Sequence, residues 1–203
     1  MKQIGVRIAV GALISVMAVF SWQVVMLRQN LLEKMETVNL MISKYEAKAQ
    51  FVDEYLPTVK EYAESEITAK RILAAVYENS IQYDIQPELI LSVILVESEF
   101  NPDASSNAGA IGLMQIMPVT GVYVGRSLGY SIKSERELYD IEKNIKIGVV
   151  FLKECIERLG EQRGLGYYYA GRYTQHYNRY TAKIDAAKEL WAPDVASLTY
   201  NLQ

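Results

Sequence analysis

The chain has 203 residues, half of them apolar, and a formal net charge of −3, so it can bury one ordinary core and carry some further helical sequence. No concentrated Lys/Arg footprint stands out, which excludes a dedicated nucleic-acid binder. A single cysteine, Cys155, and a single histidine, His176, exclude an internal disulfide and leave no Cys/His cluster with metal-ligand spacing, so neither a metal nor a cofactor is expected.

Residues 8–27 are predominantly apolar and long enough to cross a ~30 Å hydrocarbon core as a helix. They are read as a transmembrane anchor. The competing reading is a cleaved signal peptide, although the stretch is long for one and no A-x-A-like site follows Leu27. Lys2 and Arg7 precede the span, while Arg28 alone follows it closely before Glu33 and Glu36. That bias places the N-terminus in the cytoplasm, giving a single-pass inner-membrane protein with the rest in the periplasm or outside the membrane.

From Leu31 the apolar residues recur as Leu31, Met35, Val38, Ile42, Tyr45, Ala49, Val52, Leu56 and Val59, alternating steps of four and three. This is a heptad seam, read as a coiled-coil-like stalk over residues 29–62 that makes a homo-oligomer. The alternative is one amphipathic helix lying on the membrane or on its own domain, and Pro57 interrupts the seam before Val59.

The pattern then changes to shorter helical segments at about 67–83, 87–100 and 140–159, with no alternating strand series. Pro87 suits a first helical turn, Asn101-Pro102 a helix exit and Gly160 a helix stop. Cys155 falls among Val149, Leu152, Ile156 and Leu159 as a buried structural thiol, and His176 is read as a loop or surface residue. The chain is thus mainly α: an anchor over 1–28, the stalk over 29–62, a helical domain over 63–190 and a tail over 191–203.

In the helix PELILSVILVESEF, Glu97 follows Ile94, Val93 and Ile90 by three, four and seven residues, which sets its carboxyl on the apolar face. Burial raises a carboxyl pKa, as a general acid requires. A glutamate that frays to solvent at the helix end has the same spacing, so the pattern leaves both readings open. The next segment, SSNAGAIGLMQIMPVT over 105–120, combines polar candidates with Gly109, Ala110 and Gly112, which permit close backbone approach either to a ligand or in tight helix packing.

Taken together, Glu97-Ser98, Asn101-Pro102, Ser106 through Ala110, Gly112-Leu113-Met114-Gln115 and Met117-Pro118 resemble the soluble lytic transglycosylase family of the lysozyme superfamily. Leu138-Tyr139-Asp140, Asn144-Ile145 and Gly148 continue the resemblance, which covers roughly residues 70 to 185. It implies a lysozyme-like domain in which Glu97 protonates the glycosidic oxygen between N-acetylmuramic acid and N-acetylglucosamine and then acts as base. The sugar's own C6 hydroxyl is the acceptor, leaving 1,6-anhydro ends without the second carboxylate of most glycosidases. The resemblance also implies that Ser106 and Gln115 hydrogen-bond the sugar or orient Glu97, and that Met114 packs beneath a ring. For Met114, core packing is the competing reading.

The family's later Ala-Tyr-Asn-Ala-Gly motif reads Tyr167-Tyr168-Tyr169-Ala170-Gly171 here. Tyr168 matches the tyrosine whose phenol is expected to reach the catalytic carboxylate. Tyr169 replaces the asparagine, and altered substrate contacts are expected there. Tyr180 and Lys183, in YNRYTAKI, match recurrent positions of the closing helix and are assigned to domain closure. The partners implied are peptidoglycan strands and proteins of an envelope-spanning machine. A noncatalytic peptidoglycan-binding scaffold is the alternative, and a hydrolytic muramidase ranks below it.

Overall fold

The structure, a computed structural model, describes residues 2–171 and 177–192, with side chains from Leu13 onward except that of residue 14. His176 and the chain from Pro193 lie outside the described residues. The described part is mainly α, as expected: α1 (Lys2–Val59), α2 (Glu66–Tyr83), α3 (Pro87–Ser98), α4 (Pro118–Ser127), α5 (Ile141–Leu159), α6 (Glu161–Ala170) and α7 (Tyr177–Lys188). Short 3-10 turns cover Glu135–Tyr139 and Glu189–Trp191. The chain divides into two units, Met1–Ala49 and Gln50–Gln203.

In the first unit the apolar side chains face outward all round the helix, among them Leu13, Val16, Met17, Phe20 and Trp22. Part of the expected span, residues 8–12 and 14, lies outside the described side chains. Among the described residues no helix is long and apolar enough to cross a membrane. The seam residues Leu31, Met35, Val38, Ile42 and Tyr45 are likewise exposed.

The second unit begins earlier than residue 63. Phe51, Tyr55 and Val59, four residues apart along one face of α1, are buried in its core. The Tyr55 hydroxyl donates to Glu88 Oε1 at 2.7 Å, and the Phe51 ring lies 5.3 Å from that of Tyr77. The last turns of α1 are therefore packed on their own domain, and Pro57 is accommodated inside the helix.

Local chemistry sets the other helix ends. The Ser65 side chain accepts from the Thr68 N–H at the start of α2, and Asp140 accepts from Lys143 N–H at the start of α5. Pro87 opens α3, and Gly160 at φ +78° closes α5. α5 packs on α2 and α6, while α7 packs on α3 and α6. Cys155 is buried in this core, and burial pushes its thiol up to about 11. Trp191, placed by the sequence at the head of a tail, is buried instead. Its Nε1 donates to Ser92 Oγ at 3.0 Å, and its ring meets Phe100 edge-on at 6.1 Å.

Candidate active site

α3 is a buried apolar helix: Leu89, Ile90, Leu91, Ser92, Val93 and Ile94 are all removed from solvent, which carries Glu97 to its C-terminal end. Two consecutive left-handed residues, Glu99 at φ +51° and Phe100 at φ +61°, then turn the chain sharply, and Phe100 is fully buried. The helix thus stops at Ser98, two residues short of the expected end, because a buried phenylalanine anchors the turn. Ser98 Oγ donates to Leu113 O at 2.8 Å, fastening the end of α3 to the following loop. Glu99 and Asp103 are exposed.

The Glu97 carboxyl is partly buried, and Tyr180 of α7 donates its hydroxyl to Oε1 at 2.7 Å. Desolvation pushes Glu97 up to about 7 from the usual 4.5, against the opposing pull of the Tyr180 hydrogen bond and the Lys183 ammonium. An acid held there is protonated through much of the neutral range and can also take a proton back.

The loop between α3 and α4 is closed by isolated antiparallel bridges pairing Ile111 with Ser105 and with Ile116. Asn144 of α5, almost wholly buried, pins it. Its Oδ1 accepts from Met114 N–H at 2.8 Å, and its Nδ2 donates to Ile111 O at 2.9 Å and Leu138 O at 2.7 Å. Gly112, at φ +75°, is needed for this approach, since a Cβ there meets Asn144 and lies 2.8 Å from Leu138 O. The close contact made by Gly112 is therefore internal. Gly109, at φ +87°, has open space around it.

Three of the residues expected at the ligand make contacts within the protein. Met114 is fully buried, its sulfur against Gly148 of α5, so its side chain belongs to the core, the competing reading above. Ser106 is exposed, and its Oγ accepts from Ala110 N–H at 3.0 Å, shaping the loop. Gln115, in the left-handed region at φ +47°, donates Nε2 to Gly112 O at 2.9 Å and Ala104 O at 3.3 Å. Backbone strain of this kind in a non-glycine residue collects at functional sites.

The hydroxyl that reaches Glu97 is that of Tyr180, where Tyr168 was expected. Tyr168 does not donate to the carboxylate. Its buried hydroxyl donates to Met114 O at 2.7 Å, and burial followed by the nearby Glu97 charge holds its own ionisation well above the usual range. Tyr180, assigned by sequence to domain closure, is the residue that holds Glu97. Nothing local signals this contact, which joins positions 83 residues apart. Tyr169 is 56% exposed, and its ring stacks on that of Tyr180 at 4.6 Å and 18°.

A cleft of about 280 Å³ is lined by Gln115, Ile116, Met117, Thr120, Phe151, Tyr168, Tyr169, Ala170 and Gly171. It brings the loop and the tyrosine motif together, with aromatic rings beside amide and hydroxyl groups, a surface suited to a sugar. Met117 and Thr120 were not among the expected contacts, although Met117 stands in the quoted motif. Among the described residues no group of three or more His, Cys, Asp or Glu is placed to hold a metal ion.

The family model described as the transglycosylase SLT domain matches residues 75–189, more than half of the chain, and the chain belongs to that family. The chain is 42% identical over 92 residues to the membrane-bound lytic murein transglycosylase C of Glaesserella parasuis, covering 43% of this chain and 24% of that relative. It is 39% identical over 82 residues to a transglycosylase of Enterobacteria phage PRD1, covering 40% and 28%. It thus spans about a quarter of the length of these curated relatives. Among solved structures, the 70-kDa soluble lytic transglycosylase of Escherichia coli aligns over 75% of this chain and 28% of its own, at 20% identity and a TM-score of 0.47.

Proposed function

We propose that this protein is a peptidoglycan lytic transglycosylase with Glu97 as its single acid and base. The observation that carries the reading is the Glu97 carboxyl, raised to about 7 by burial and held by Tyr180 inside a family-typical helical domain. Glu97 gives its proton to the glycosidic oxygen as the bond from C1 of N-acetylmuramic acid breaks. The carboxylate then takes the proton of the same sugar's C6 hydroxyl as that oxygen bonds to C1, closing a 1,6-anhydro ring. The proton returns to Glu97 and no water is consumed, so a second carboxylate has no step to perform. Gln115, Tyr168 and Tyr169 line the cleft that receives the glycan. Ser106 and Met114 act through the loop and the core beneath it.

The first unit supports a membrane tether, with residues 8–27 crossing the inner membrane and the domain beyond it in the periplasm. Apolar side chains on every face of its helix suit lipid better than a packed core. The exposed seam from Leu31 to Tyr45 supports pairing with further copies of the chain.

The test is mass spectrometry of muropeptides released from purified sacculi by the protein and by Glu97→Gln. Anhydro ends from the parent, falling at least ~100-fold in the variant, are expected. Reducing ends would make it a muramidase, and sacculus binding without products would make it a scaffold.

A further inference from the structure

We propose that Tyr169 is a positioning residue for Glu97, acting through Tyr180: its stacked ring holds the phenol on the carboxylate and keeps water in the cleft away from that hydrogen bond. The inference rests on the reading of Glu97 as the acid. It goes beyond that reading in giving the tyrosine that replaces the family asparagine a task other than touching the sugar.

The three groups form one relay. Tyr169 is 56% exposed and lines the cleft, whereas Tyr180, against which it lies nearly parallel at 4.6 Å, is 4% exposed. One ring therefore covers the other. The covered ring ends in the 2.7 Å hydrogen bond to Glu97 Oε1. Face-to-face contact fixes the plane of Tyr180, and that plane fixes where its hydroxyl points. An asparagine at 169 has no ring with which to cover Tyr180, leaving cleft water a shorter route to the carboxyl.

The titratable groups facing Glu97 are Tyr180 and Lys183 of α7 and Tyr168 of α6. Burial outweighs the first two, which favour the ionised carboxyl. Removing the ring both loosens the Tyr180 bond, which raises the midpoint, and lets water in, which lowers it; burial is the larger influence on this carboxyl, so the net shift is downward.

The experiment follows the Glu97 side-chain carboxyl by carbon NMR during a pH titration of the full chain in detergent. The resonance is assigned by its loss in Glu97→Gln, and the proteins compared are the parent, Tyr169→Phe, Tyr169→Leu and Tyr169→Asn. The midpoint is expected to fall by about one pH unit in the leucine and asparagine variants and to be retained in the phenylalanine variant, which keeps the ring without its hydroxyl. Muropeptide release is expected to lose its alkaline limb by the same shift. A midpoint unchanged in both leucine and asparagine variants overturns the proposal, as does a fall of equal size in the phenylalanine variant. If the midpoint shifts as expected while the parent releases no anhydro ends, the positioning role stands and the transglycosylase reading fails.

Discussion

Glu97 combines burial with two partners that oppose its effect, and the balance has consequences for stability. Its carboxyl titrates near 7 in the native protein and near 4.5 when unfolded. Below the lower value both states are protonated. Between the two the unfolded chain has lost its proton while the native protein keeps it, so stability declines as pH rises through this window and levels off above it. Glu97→Gln escapes the decline. In denaturant unfolding the variant is expected to match the parent near pH 4 and to exceed it by on the order of 3 kcal/mol near pH 8. Parallel stability curves would show that the carboxyl is not desolvated. Tyr180→Phe deletes a donor to the ionised form, so the Glu97 midpoint is expected to rise above that of the parent in the same carboxyl titration. The burial of Glu97 was legible in the sequence as one of two readings of its helical spacing, the one that the resemblance preferred. Tyr180 was not, since its task depends on how α7 lies against α3.

Helices with chemical punctuation at both ends were readable in advance. α5 starts at Asp140 and stops at Gly160, and α2 and α3 fall within a residue or two of their expected spans. The glycines were harder to interpret, because the sequence shows that a Cβ is missing without showing what fills the space. Gly148 admits the buried Met114 side chain. Gly148→Ala gains helix propensity but places a methyl within 2.7 Å of Met114 Cβ, whose backbone is tied by hydrogen bonds to Asn144 and Tyr168. We expect overpacking to win, with a net loss of about 1–3 kcal/mol by thermal unfolding. An unchanged or raised melting temperature would show that Met114 moves freely. Asn144→Leu removes three hydrogen bonds that hold the loop and is expected to cost on the order of 3 kcal/mol or more in the same measurement.

At the scale of the whole molecule, the heptad seam was read as a stalk interrupted at Pro57, with packing on its own domain as the alternative, and its last part, Val52, Leu56 and Val59, follows the alternative. From Phe51 onward α1 packs into its own domain, while the residues from Leu31 to Tyr45 remain uncovered. Periodicity alone does not distinguish a face buried on its own domain from one buried on another copy. Oxidative crosslinking separates them, because the native Cys155 is buried and its thiol pushed up to about 11, leaving little background. Met35→Cys, on the seam, is expected to form chain-to-chain disulfides in membranes far more readily than Ser43→Cys beside it. Equal yields at the two positions would remove the oligomeric seam.

The central claim is that one carboxyl performs the whole reaction without water. Digestion of purified sacculi in heavy-oxygen water tests it most directly, with the released ends weighed by mass spectrometry. The account predicts anhydromuramic ends that carry none of the heavy oxygen. Muramic ends that had taken up one heavy oxygen each would mean that water, and not the C6 hydroxyl, attacks C1, and the single-residue mechanism would be wrong.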